Sequence, residues 1–354
     1  MKYESYDQET VQLLQSLIRI PALSRSEHER CAFLQQWLLE RGIQTQRVEN
    51  NLWAIAGTYN SSKPSLLLNS HMDTVKPVNG WNSDPFTPVI QSDSLFGLGS
   101  NDAGASLTCL IQAFRILSTK EQAYNLVLGI SAEEEITGKN GIEALLPALP
   151  PIQLGLIGEP TQMHPAVAEK GLMVLDCTVR GKAGHAARNE GENAIYKALK
   201  SIEWFQHKQF PLQSDFLGPV KMTVTQIQSG TQHNVIPDNC QFVVDVRINE
   251  FYSPESLFQE IRSQVDAEVN ARSFRLNSSR IPMEHPIIQT CISLGRIPYG
   301  SPTLSDQARM PFTTFKMGPG ASERSHTANE FIHLSELSEG LQLYVTILDG
   351  LRFA

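Results

Sequence analysis

Three short apolar runs, each followed by residues that can bind a metal, constrain this chain more than any other feature. Leu66-Leu67-Leu68 leads into His71-Met72-Asp73, Asn125 to Ile130 into Glu133-Glu134-Glu135, and Leu154 to Ile157 into Gly158-Glu159-Pro160. Runs this short and this uniformly apolar read as strands buried on both faces. Helical patterns surround them. Val11, Leu14, Leu17 and Ile18 share a face over 8–20, as do Cys31, Phe33, Leu34, Trp37 and Leu38 over 28–41. Gly104 to Leu117 turns Leu107, Leu110, Ile111 and Phe114 inward, and Leu52 to Ala56 reads as a further strand ending at Gly57. Strands alternating with helices of this length predict an α/β sandwich around a mainly parallel sheet.

The pattern changes near residue 172. Met173 to Val179, Val220 to Thr225 and Gln241 to Arg247 alternate apolar and polar residues, as half-exposed strands do. Helices follow at Ala194 to Phe205 and after Ser253-Pro254, where serine caps and proline takes the first helical position. This β-α-β-β-α-β order predicts a ferredoxin-like insert over 174–282, within a discontinuous domain made of 1–173 and 283–354.

Composition narrows the function. The chain of 354 residues carries a formal net charge of -8, which argues against nucleic acid or an anionic membrane as partner. It has no apolar stretch of membrane-spanning length and no signal-peptide pattern at Met1 to Asp7. The five cysteines are scattered without a C-x-x-C, as in a reduced, cytoplasmic protein whose thiols fill the core.

The polar clusters carry the chemistry. An imidazole that binds a metal through one nitrogen needs its other N–H held, and Asp73 stands two residues from His71. Asp102 follows the glycine-rich Gly97-Leu98-Gly99 at the mouth of a helix, where a carboxylate can bridge two cations; taken alone, it reads as an N-cap. Three adjacent acids, Glu133 to Glu135, repel one another unless cations are near, and taken alone they read as a solvated charge run. Their place after a buried strand, where open α/β sheets build sites, favours the functional reading. Glu159 is another acid at a strand end, and His326 lies in a glycine-rich loop ahead of Asn329-Glu330. A lone loop histidine is usually a surface residue, and His164, His207, His285 and His333 read as such. Mixed nitrogen and oxygen donors suit two divalent ions, zinc first, with cobalt or manganese as alternatives.

These segments, taken in order, resemble the co-catalytic metallopeptidase family of acetylornithine deacetylase, succinyl-diaminopimelate desuccinylase, aminoacylase and carboxypeptidase G. The resemblance spans nearly the whole chain and implies a zinc-exopeptidase-like fold whose insert is a lid and dimerisation domain. It implies that His71 and Glu159 bind one metal, that Glu135 and His326 bind the other, and that Asp102 bridges them. Asp73 would orient His71, and Glu134 would be the general base. Gly181-Lys182-Ala183-Gly184-His185 resembles the lid segment whose histidine reaches the scissile carbonyl from the neighbouring subunit. Asn234-Val235-Ile236-Pro237 resembles the family's turn, and Arg247 its carboxylate-gripping arginine, although Arg247 alone reads as a sheet-surface charge. Two departures stand out. Asp102-Ala103-Gly104-Ala105 lacks the lysine common after the bridging aspartate, and Glu169-Lys170-Gly171 offers only Lys170 where relatives often carry an arginine-like contact.

The resemblance implies hydrolysis of a small N-acyl amino acid, with an acetylornithine or acylcitrulline deacylase of arginine biosynthesis as the leading expectation. A desuccinylase comes next, then a dipeptidase or carboxypeptidase. A non-catalytic scaffold is a distant reading, because no ligand or base is missing. A homodimer formed through the insert is the expected assembly.

Overall fold

Strand ends bring the acidic residues together, and the sheet order explains how. In the computed structural model, which describes residues 4–188 and 190–353, Ser65–His71 lies parallel to Asn125–Ser131 on one side and to Leu154–Ile157 on the other. Thr313–Lys316 continues the parallel set beside Leu154–Ile157. Asn51–Ile55 adds antiparallel to Asn125–Ser131, and Gln46–Val48 to Asn51–Ile55. The apolar runs are buried throughout. Leu67, Val127 and Ile157 pack with Trp53, Ile142, Leu145 and Met310, while the alternate residues Leu66, Leu68, Leu126 and Leu128 are equally buried. A sheet covered on both faces has no polar alternation, which is why these strands appear in the sequence as continuous apolar runs.

The chain forms two compact units. The first comprises Met1–Val167, Arg280–Tyr299 and Ser305–Ala354; the second comprises Ala168–Ser279 and Gly300–Leu304. The first unit's helices include Glu4–Arg19, His28–Leu39, Ala105–Ser118 and Leu334–Leu348. Among the described residues no helix is long and apolar enough to cross a membrane, and all five cysteines are buried and free.

The second unit is a four-stranded antiparallel sheet in the order Lys221–Ser229, Asn239–Ile248, Gly171–Arg180, Glu268–Ala271. With helices Ala194–His207 and Pro254–Gln264 this is the ferredoxin-like arrangement. Gly171 and Leu172, which precede the segment 174–282 read from the sequence, already pair with Ile248 and Arg247. The strand alternation sorts Leu175, Cys177, Phe242, Val244 and Val246 into a core shared with Phe205, Leu257 and Ile261. Ser253 caps its helix through Ser256 N–H, with Pro254 in the first turn.

Arg30 ties the first unit's N-terminal helix to the strand that carries His71. Its buried guanidinium donates to the carbonyls of Leu17, Ile20 and Met72 at 2.6–3.0 Å. Burial brings its pKa down to about 10, partly offset by Asp73 and Glu27. Arg30→Met removes this donor from the carbonyls of Leu17, Ile20 and Met72, leaving Leu17 O only the Ile20 N–H. We expect it to lower unfolding stability by roughly 3 kcal/mol in urea titrations, because unpaired buried polar groups retain their desolvation cost. A loss below about 1 kcal/mol would mean that water replaces the guanidinium without difficulty.

Candidate metal centre

His71 is the last residue of its strand, so its ring stands at the sheet's carboxyl edge. Nδ1 contacts the backbone oxygen of Asp73 at 2.9 Å and the Asp73 carboxylate at 3.5 Å. The closer acceptor is thus the carbonyl, and the Asp73 carboxylate has further partners. It accepts from Ser24 Oγ at 2.7 Å and from the backbone N–H groups of Glu134 and Glu135 at 3.1 and 3.3 Å. Asp73 therefore fixes the turn Glu134–Ile136 as well as the imidazole.

The other ring nitrogen of His71 faces acids. Nε2 lies 3.2 Å from Asp102 Oδ1, 3.9 Å from Glu134 Oε2 and 4.0 Å from Glu159 Oε1. Asp102 Oδ2 lies 3.6 Å from His326 Nε2, which is 2.9 Å from Glu135 Oε2. Asp102 thus stands between the two imidazoles, one oxygen toward each. Its side chain caps no helix: Gly104 precedes the helix Ala105–Ser118, and no side chain bonds that end. Gly99 has φ of 75°, and a Cβ there would press on Thr74, so the glycine-rich approach is required for the turn.

The three adjacent acids separate. Glu133, at φ of 53°, accepts from the side chain and backbone of Asn140 at 3.0 and 3.3 Å and turns away from the cluster. Glu134 and Glu135 face into it. Two donor triads result, His71-Glu134-Glu159 and His71-Asp102-Glu135, each with its ligand atoms within 4.8 Å of one another. His285 instead caps a helix through Ile287 N–H, and His164 accepts from Ile297 N–H; both are half-buried and hold local backbone rather than standing free on the surface.

The charge balance fits divalent cations. Burial favours the protonated form of Glu134; the positive field of His71 opposes this, and Glu159, Asp306 and Glu135 add to it, leaving its pKa well above the usual carboxylate range. Burial alone would lower the pKa of His71, but hydrogen bonds to Asp102 and Asp73 reverse the sign. Glu135 chiefly pushes His326 up to about 9. An excess of buried carboxylates around two imidazoles is the environment that a hard or borderline cation compensates.

Two acids that the sequence analysis left unassigned support the site. Asp306 is buried, and its Oδ2 accepts from Asn69 Nδ2 at 2.9 Å and Ser131 Oγ at 2.5 Å. Asn69 and Ser131 belong to the strands that end beside His71 and Glu133. Burial is the main cause that raises Asp306 to about 6. Glu330 is also buried, and burial outweighs its backbone hydrogen bonds to raise it to about 7.

The remaining expected residues belong to the second unit. His185 is exposed on the short strand Gly184–His185, which pairs with Val235–Ile236; Ala186 N–H donates to Asn234 O, so His185 and Asn234 are neighbours. Arg247 forms a two-pronged ion pair with Asp245 at 2.8 and 3.0 Å. Burial and the positive charges of Lys221 and Arg247 lower the pKa of Lys170.

Residues 167–272 match the M20 peptidase dimerisation domain. An M20-domain-containing protein of Schizosaccharomyces pombe is 29% identical over 352 residues, covering 94% of this chain and 82% of its own. An acetylornithine deacetylase of Photorhabdus laumondii is 26% identical over 379 residues, with 96% of each chain covered. Among solved structures, the aminopeptidase PepT of Bacillus cereus superposes with a TM-score of 0.78 at 20% identity, covering 97% of this chain and 98% of that one. A dinuclear metal-binding M20 peptidase of Bacillus subtilis gives 0.74 at 17% identity and 98% of each chain.

Asp306 generates a pH prediction. Its folded pKa lies above the usual 3.8, so the folded protein holds this proton more tightly than the unfolded chain. The cost of ionising it is absent below pH 4, grows between pH 4 and 6, and is fully present above pH 6. Asp306→Asn keeps an accepting oxygen and removes that cost. In urea titrations of the chelator-treated protein, the variant should gain on the wild type as pH rises from 4 to 7, by about 3 kcal/mol. A difference that stays flat with pH would mean that Asp306 ionises normally.

Proposed function

We propose that this chain, which is similar to M20 metallo-hydrolases, cleaves the amide bond of a small N-acyl amino acid. The reading we favour is an N-acetylornithine or N-acylcitrulline deacylase of arginine biosynthesis. The observation that carries the hydrolytic part is the placement of Glu134 in the same cage as His71, Asp102, Glu135, Glu159 and His326. Support for the substrate comes from relatives named acetylornithine deacetylase, aligned over nearly their whole length.

In this reading His71 and Glu159 would hold one divalent cation, Glu135 and His326 would hold a second, and Asp102 would serve both. The cations, zinc first with cobalt or manganese as alternatives, would supply Lewis acidity and a water that ionises near neutral pH. Asp73 holds the His71 ring and, through the N–H groups of Glu134 and Glu135, the turn that carries the base. Glu134 takes a proton from the attacking water and passes it to the leaving amine. Its raised proton affinity suits a group that must hold that proton between the two steps. Arg247 and Asn234 grip the α-carboxylate, Lys170 adds a second positive charge beside Arg247, and His185 donates to the developing oxyanion.

Glu134→Gln separates base from ligand. We expect turnover to fall on the order of 10³-fold with both metal equivalents retained, measured by elemental analysis of the purified variant. Loss of a metal equivalent would make Glu134 a ligand instead. A panel of N-acetyl, N-succinyl and dipeptide substrates tests the chemistry: acetate release supports the favoured reading, whereas succinate or a free amino acid reassigns it.

The second unit also supports a homodimer. Lys221–Ser229 is an edge strand, and Ile227 on it is exposed, as are Tyr196 and Leu199 on the adjacent helix. Ile227→Lys with Leu199→Glu should yield a monomer by analytical ultracentrifugation. If His185 serves the partner's site, activity should fall at least 100-fold, the scale of losing one oxyanion donor. A fully active monomer would remove His185 from that role.

A further inference from the structure

We propose that Glu330 and Asn101 form a two-way latch that sets the distance between Asp102 and His326, which makes both of them positioning residues for the His326 metal site. The proposal rests on the two-cation reading above. Glu330 lies four residues beyond His326, and both its carboxylate oxygens point back into the loop that carries Asp102. Oε2 accepts from Gly99 N–H at 2.9 Å, and Oε1 accepts from Asn101 and Asp102 N–H at 2.8 and 2.9 Å. The Glu330 carbonyl accepts from Gly97 N–H at 3.0 Å.

Asn101 works in the opposite direction. Its Oδ1 accepts from Ala321 N–H at 2.9 Å, and its Nδ2 donates to Ala321 O at 3.0 Å and Ser325 Oγ at 3.3 Å. Both side chains are buried, at 2% and 0% exposure. Gly320, at φ of 87°, sits against Asn101 so closely that a Cβ would strike the amide oxygen. Each ligand loop is therefore held by a side chain from the other, and Asp102 Oδ2 faces His326 Nε2 across 3.6 Å between them.

A carboxylate is the side chain that fits three converging N–H donors, because it is acceptor-only with two oxygens. Glutamine keeps the shape but turns an amino group toward one set of N–H groups. Neither Glu330 nor Asn101 is among the groups proposed to touch metal or substrate, so any effect on the metal passes through Asp102 and His326. Outer partners of metal ligands commonly change affinity by about 10–100-fold.

The test is zinc titration of the chelator-stripped full-length chain by calorimetry with a competing chelator, for wild type, Glu330→Gln, Asn101→Ala and the double variant. The wild type should bind two equivalents. Each single variant should bind the His326 equivalent about 10–100-fold more weakly and the other equivalent by a smaller factor, because Asp102 would serve both. The double variant should be no worse than the worse single, as for parts of one device. The metal-free singles should still unfold in one cooperative transition, although less stably than the wild type because buried partners of each side chain are left unpaired, so that a weakened second equivalent is not a lost fold. Two wild-type affinities in both singles, equal weakening of both equivalents, or additive losses in the double would each overturn the latch. A wild type that binds fewer than two equivalents would instead sink the two-cation reading.

Discussion

The structure is organised around negative charge brought into a partly buried space. Asp102, Glu134, Glu135 and Glu159 converge on two imidazoles, and the pKa of Glu134 rises as a result. Such an arrangement is unfavourable unless cations share the site, because burial penalises each ionised group and like charges add to that penalty. The parallel strands make the convergence possible. Their carboxyl ends lie side by side, so side chains far apart in sequence emerge along one edge.

Around that centre, hydrogen bonds to the backbone do most of the positioning. Asp73 receives two N–H groups from the turn that bears Glu134 and Glu135. Glu330 receives three from the loop that bears Asp102. Asp306 holds Asn69 and Ser131, one from each of two neighbouring strands. Each of these carboxylates is short of solvent and well supplied with donors, so the segments around the site are held by the groups least tolerant of being left unpaired.

What was legible in the sequence follows from this division. The runs Leu66–Leu68, Asn125–Ile130 and Leu154–Ile157 announced buried strands because both of their faces are covered, and the acids after them announced a site. The second unit was legible through its period-two alternation. Asp306, Glu330 and Asn101 were not, for a common reason: their partners lie 175–237 residues away. Nothing local distinguishes a buried acid that holds a distant loop from a solvated one. The clue for Glu330 was its place just past a glycine-rich loop with a histidine. The Arg247–Asp245 pair was within reach of local reasoning, since residues two apart on a strand share a face.

The same division bears on selectivity. Cations and a base hydrolyse an amide whatever its side chain, so the cage by itself distinguishes few substrates. Discrimination requires groups of fixed charge, and the second unit carries such groups on its sheet. Lys221 and Arg247 lie near enough to Lys170 to add to the lowering of its pKa by burial, and Asp245 is paired to Arg247. Three cations against one carboxylate leave a positive surplus, which on the proposed reading selects for anionic acyl amino acids and against neutral amides. The pair with Asp245 sharpens that choice, because a substrate carboxylate must compete with a two-pronged partner already in place, and only a well-aligned one does so. On the proposed reading, chemistry and choice would reside in different units of the chain, so substitutions at Lys170 or Arg247 would be expected to alter substrate preference and leave the metal ligands unchanged.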